Sequence, residues 1–335
     1  MTAQNDLKSI IRDRQSKTGE SYTAARAHVM RARAELLGLP EEAQAAREKP
    51  RLEAIILKVN ERSVRARLLA DGAQVTFRAS EAYSVVPGQL VTLVVNKRWT
   101  YRGGAYASGR IEDARIDAAK LGLVPLSLLG GELTDLRAGI EPYRRPDPYA
   151  PLWRKHTARP RACFEFDCIA WGAFPGEDPE DNATCNAAEL AEEGDLEGAE
   201  ALLKAVLLRD LRCLDAHAHL GNLAFKPSPQ RALLHYEVGI RIGELSFPPG
   251  FDGVVEWGPI YNRPFLRCLH GYALCLWRLG KLAEARWVFE RNLALSPHDR
   301  QGVRFCLEDV LAGRTWEESQ GAEEAADAEP TDLIQ

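Results

Sequence analysis

The hydrophobic positions change period along the chain. Between residues 3 and 37, Leu7, Ile10 and Ile11 fall at helical spacing before Thr18-Gly19-Glu20 interrupts them. Ser21 or Thr23 then caps a second helical run through Val29, Met30 and Leu36, which Gly38 and Pro40 stop. This predicts a helical hairpin that docks or dimerises, because two such helices are too short to bury a core alone. Polar EEAQAAREKP (41–50) predicts a linker. From residue 52 the period falls to two. Leu52, Ala54 and Ile56 are followed by Val64, Ala66 and Leu68, then by Val75, Phe77 and Ala79. The run Leu90 to Val95 and the segment Tyr106 to Ile116 complete the set, with Asp71-Gly72, Val86-Pro87-Gly88-Gln89 and Gly103-Gly104 as turns. Five short strands with such turns predict a small antiparallel barrel, and OB-like and SH3-like forms both fit.

Residues 121–182 keep neither period. EPYRRPDPYAPLW (141–153) sets prolines among aromatics and arginines, which predicts an ordered connector lying across a surface, since aromatics are rare in free linkers. Helical spacing returns at residue 183, and it repeats. AAELAEEGDLEGAEALLKAVL (187–207) aligns with YALCLWRLGKLAEARWVFERNL (272–293), matching Gly194 to Gly280, Ala199 to Ala285 and Leu203 to Phe289. Between them Gly221, Ala232 and Tyr236 fall into the same scheme, and residues Glu244 to Asn262 form an insertion. A small residue lets two helices approach, and a large one a turn later fills the gap.

These residues resemble the tetratricopeptide repeat, a unit of about 34 residues built from two antiparallel helices. The resemblance implies a helical stack over residues 183–313, closed by a helix from Arg300 to Leu311. It also implies a concave groove lined by the first helix of each pair. Asn222 and Lys226 in the middle unit, with Arg267, His270, Trp277 and Arg278 in the third, would there face an extended peptide bearing carboxylates. The first unit offers Thr184 and Glu192 instead of cations.

The expected organisation is therefore α+β and multidomain. A helical hairpin and linker (1–49) precede a β-barrel (50–120), a connector (121–182), tetratricopeptide-like repeats (183–313) and an acidic disordered tail (314–335). The composition, 45% hydrophobic and 27% charged, excludes collagen-like and wholly disordered classes. No apolar run reaches the ~18 residues a membrane helix needs, and MTAQNDLKSIIRDRQ lacks the apolar core of a secretory signal. Seven cysteines are too few for a disulfide framework, so a reduced cytoplasmic compartment is expected, with no membrane partner. Nucleotide-binding, metalloprotease and hydrolase motifs are absent from the sequence, so no catalytic residue and no cofactor are expected. Cys163, Cys168, Cys185, His217 and His219 come nearest to a zinc set. Their spacing is looser than paired C-x2-C clips, and His217 and His219 point to different helix faces, so a structural role is expected.

Charge is unevenly spread. Residues 1–120 carry 21 Lys and Arg against 14 Asp and Glu, and residues 176–335 carry 15 against 28. Within the basic part, Lys97, Arg98, Trp99, Tyr101 and Arg102 form one cluster, followed by Tyr106 and Arg110, with Arg65, Arg67 and Arg78 alternating on nearby strands. Cations neutralise phosphates and aromatics offer bases a stacking platform. Two functions are thus expected in order. The first is a non-enzymatic adaptor gripping a protein or peptide partner in the repeat groove. The second is a nucleic-acid-binding regulator that uses the barrel and recruits a partner through the repeats.

Overall fold

A computed structural model describes residues 3–36, 49–139, 148–178 and 182–321, and divides the chain into two compact units, Met1–Pro50 and Arg51–Gln335. The first unit holds α1 (Ala3–Thr18) and α2 (Tyr22–Leu36), with Ile11 and Ala25 buried. Gly19 turns the chain at φ 69°, and the Ser21 hydroxyl accepts from the Ala24 N–H at 3.3 Å, so Ser21 rather than Thr23 caps α2. The expected linker, apart from Lys49 and Pro50, lies outside the described residues.

The period-two segments become β1 (Arg51–Asn60), β2 (Ser63–Leu68), β3 (Gln74–Arg78), β4 (Leu90–Tyr101) and β5 (Gly104–Arg115). They close into a barrel in the order β1-β2-β3-β5-β4. One pairing departs from the antiparallel expectation. The chain crosses from β3 to β4, so β5 returns between them and runs parallel to β3. Ile56, Val64, Phe77, Val91 and Leu93 fill the interior. The other face of β1 and β4 is buried as well, because Ile55, Leu57 and Leu90 join a second core shared with the helices. Burial on both faces explains why AIIL and LVTLVV do not alternate.

The connector contains a sheet that its irregular pattern conceals. β6 (Leu128–Thr134) pairs antiparallel with β7 (Arg161–Phe166). The insertion adds a bridge to it: Phe164 N–H donates to the Val254 carbonyl, and Val254 N–H to the Ala162 carbonyl, both at 2.9 Å.

Helices α3 (Ala183–Glu192), α4 (Leu196–Arg209), α5 (Leu214–Phe225), α6 (Pro229–Glu244), α7 (Arg263–Arg278) and α8 (Leu282–Leu295) form successive packed pairs, followed by α9 (Val303–Leu311). The aligned Ala199, Ala232 and Ala285 are each fully buried. Gly194 and Gly280 both take positive φ, 93° and 73°, in the turns between paired helices, a conformation glycine adopts without strain. Asp195 caps α4 by accepting from the Gly198 N–H at 2.9 Å. The stack ends later than expected. Trp316 packs on Phe225 and Trp277, so residues 314–321 belong to the folded body. The rest of the expected acidic tail, 322–335, lies outside the described residues. Among the described residues no helix is long and apolar enough to cross a membrane.

Candidate nucleic-acid interface

Side chains directly opposite in paired strands share a face, and the barrel register builds one outer face from all five strands. Lys58 lies opposite Arg65, Arg65 opposite Thr76, Thr76 beside Tyr106, and Tyr106 opposite Trp99. A second row on the same face runs Asn60, Ser63, Arg78, Ser108 and Lys97. Cations thus occupy the β1–β2 end of the first row, and rings occupy its β5–β4 end.

The rings hold one another in place. Trp99 stacks on Tyr106 with centroids 5.7 Å apart and planes 16° from parallel, and Tyr101 meets Tyr106 edge-on at 6.3 Å. The Arg78 guanidinium lies 5.5 Å from the Trp99 ring centre, and Arg102 lies 5.3 Å from that of Tyr101. Tyr101 remains 55% exposed, which leaves a π face open to solvent. The basic run prolongs β4 past a bulge at Val95/Lys97. Strand alternation then sets Lys97, Trp99 and Tyr101 on the outer face and Arg98 on the other. Arg102 and Gly103, at φ 48° and 76°, turn the chain into β5.

Charges elsewhere on the barrel are spent internally. Arg51 pairs with Glu112 at 3.0 Å and Asp113 at 3.2 Å, Arg110 with Glu112 at 2.8 Å, and Arg115 with Glu53. Arg67 donates to the Leu121 carbonyl at 2.7 Å and ties the barrel to the connector. By contrast, Lys58, Arg62, Arg65, Arg78, Lys97, Arg98 and Arg102 form no ion pair among the described residues. A cleft of about 400 Å³ opens on this face between Lys58, Asn60, Arg65, Gln74, Thr76 and Tyr106. Of the five cluster residues expected from sequence, Lys97, Trp99, Tyr101 and Arg102 therefore form one edge of a larger surface, while Arg98 lies on the other face of β4. Lys58, Asn60 and Gln74 escape a sequence reading because only the register brings them to the cleft.

Of the positions carried over from the repeat resemblance, Lys226 and Arg278 meet at the end of α5, and most of the others are engaged in the fold's own contacts. Asn222 is exposed, and its Oδ1 accepts from the Tyr236 hydroxyl at 2.7 Å. Lys226 is exposed, while Arg278 donates to the Phe225 and Lys226 carbonyls and caps α5. Arg267 donates to Asp215 at 2.7 Å. Burial raises the Asp215 pKa, but His219, Arg267 and Thr184 outweigh it and hold the carboxyl below the usual range. His270 packs edge-on against Phe289, and burial pushes its pKa down to about 4. Trp277 is 2% exposed, and its Nε1 donates to the Arg314 carbonyl at 2.8 Å. A peptide reaches Trp277 only by displacing residues 314–316. Thr184 is buried too, bonded to Asp215 at 3.0 Å.

No protein-family model matches this sequence, and a search of curated proteins finds no significant match.

Proposed function

We propose that the protein is a non-enzymatic binder of single-stranded nucleic acid, working through the outer face of the barrel. The observation that carries this reading is the transverse row from Lys58 to Trp99, where unpaired cations meet a half-buried aromatic stack flanked by the exposed Tyr101. Bases extruded from a single strand lie on Trp99, Tyr101 and Tyr106, while Arg65, Arg78 and Lys97 follow the phosphates. An OB-type barrel suits the reading, and the parallel β3–β5 pair and the crossing between β3 and β4 favour it over an SH3-like meander. That barrel class binds oligonucleotides on the face of its second and third strands.

Fluorescence anisotropy of the full chain with single-stranded 12-mers tests the proposal. Binding at 50 mM salt is expected to weaken with a log–log salt slope of about −0.7 per phosphate contacted, or about −3 for four contacts. Replacing Lys97, Arg98 and Trp99 together by Ala is expected to abolish it, since stacking alone is worth ~1–3 kcal/mol per base. Absence of binding at low salt, or binding that survives the triple variant, refutes the reading.

A second reading keeps the helical stack as a tetratricopeptide-like adaptor for a peptide. The exposed Asn222 and Lys226 on α5 favour it, as does the recurrence of buried Ala199, Ala232 and Ala285. Hydrophobic peptide capture loses little affinity with salt, which separates it from phosphate binding.

A further inference from the structure

The cleft beside the aromatic stack has the chemistry of a reader as well as a grip. Its volume, about 400 Å³, suits a single small ligand. Tyr106 forms one wall, and its position is fixed from both sides. Trp99 stacks behind it, and residue 104 is a glycine over which the ring lies closely; a Cβ there would sit 3.2 Å from Tyr106 Cε2. Lys58 and Arg65 stand across the cleft and supply positive charge for a phosphate. The remaining polar side chains of the lining are two amides, Asn60 and Gln74, and the Thr76 hydroxyl, with no carboxylate among them.

The amides are poorly used by the fold. Gln74 is exposed and its side chain makes no hydrogen bond among the described residues; Asn60 makes one long donation to Ser63 Oγ at 3.4 Å. Neutralising a phosphate needs neither, because an amide carries no charge, and a phosphate oxygen would use only the amide's donor. An amide does present a donor and an acceptor side by side, which is the pattern that matches the N6 and N7 edge of adenine. Bare cytosine or thymine edges fit that pair less well, and guanine is matched better by an arginine fork.

We propose that Gln74, assisted by Asn60, makes this cleft selective for adenine, one base of a bound single strand lying on Tyr106 with its edge toward the amides. The inference rests on the nucleic-acid reading above, and it adds base selectivity that the stack and the cations do not supply. The test uses the full chain and labelled d(CA)6, d(CT)6 and d(TG)6, none of which pairs with itself. The expected result is that d(CA)6 binds at least about five-fold more tightly than d(CT)6. In Gln74→Ala and in Asn60→Ala/Gln74→Ala, the affinity ratio of d(CA)6 to d(CT)6 is expected to fall to about one. Both positions are exposed, so thermal melting of the variants is expected to match the parent. Equal binding of d(CA)6 and d(CT)6, or a preference that survives the double variant, overturns the inference and leaves the nucleic-acid reading standing. Tightest binding of d(TG)6, lost in Arg65→Ala, also overturns it, by assigning the cleft to guanine. Failure of all three to bind at low salt removes the parent reading instead.

Discussion

Tyr236 on α6 is clamped between two glycines. A Cβ on Gly221 of α5 would lie 2.4 Å from its ring, and one on Gly271 of α7 would lie 2.3 Å from it. Only hydrogen at both positions lets three helices close on one aromatic ring. Gly271→Ala is therefore expected to cost ~1–3 kcal/mol by overpacking, read as a lowered urea midpoint. Ala285→Leu, at another fully buried helix contact, is expected to cost a similar ~1–3 kcal/mol. An unchanged midpoint in Ala285→Leu would place the repeat register in error. Gly221 and Tyr236 were legible in the sequence because they recur within one helix pair. Gly271 was not, since its partner belongs to the preceding pair and no local pattern records that contact.

Elements were legible where one face alone is buried, and less so where register or a glycine pair decides. Alternation located β2 and β3, and the turn signals helped to locate β1, β4 and β5, yet neither could say that β5 would slot between β3 and β4. The cleft depends on that slot, so Gln74 and Asn60 carried no signal before the strands were paired. β6 was hidden because Gly130 and Gly131, at φ 97° and 103°, break its alternation. Arg161 of β7 helps to hold this small sheet to the stack. Its guanidinium donates to the carbonyls of Asp252, Gly253 and Ala294 at 3.1, 2.9 and 2.6 Å, joining β7, the insertion and α8. Burial lowers the Arg161 pKa, yet a guanidinium stays charged, and three carbonyls lose their donor if it goes. Arg161→Ala is expected to destabilise the unit by ~2–4 kcal/mol. Arg161→Lys is expected to recover little, because one ammonium cannot reproduce the planar fork. Urea titration of both variants checks this; a full rescue by Lys would show that charge, not geometry, makes the joint.

At the scale of the whole second unit, the barrel and the stack share a core, and several histidines are buried neutral around it. Burial pushes His217 down to about 4, and His235 falls well below 6.5 for the same reason, with His217, Arg231 and Lys204 facing it. Neither Nδ1 has a hydrogen-bond partner among the described residues. A proton on either ring would sit uncompensated in the packing between α5 and α6. The direction of linkage follows from the lowered folded pKa. The neutral rings cost nothing above pH 6.5, and the unfolded chain takes up their protons first as pH falls from 6.5 toward 4, so stability drops through that window. For His217 alone the loss between pH 7 and pH 5 is about 2 kcal/mol. His298 works the other way: its hydrogen bond to Glu256 raises its pKa, so its contribution is present below 6.5 and fades as pH rises through the folded value. One raised histidine does not offset the buried pair. Thermal melts between pH 8 and pH 5 are expected to show the midpoint falling below pH 6.5. His235→Phe, which removes one titrating ring while keeping its bulk, is expected to flatten that fall by about one proton's worth of linkage. A midpoint that stays level from pH 7 to pH 5 would mean that the folded core accommodates the charged rings, and the burial argument would fail.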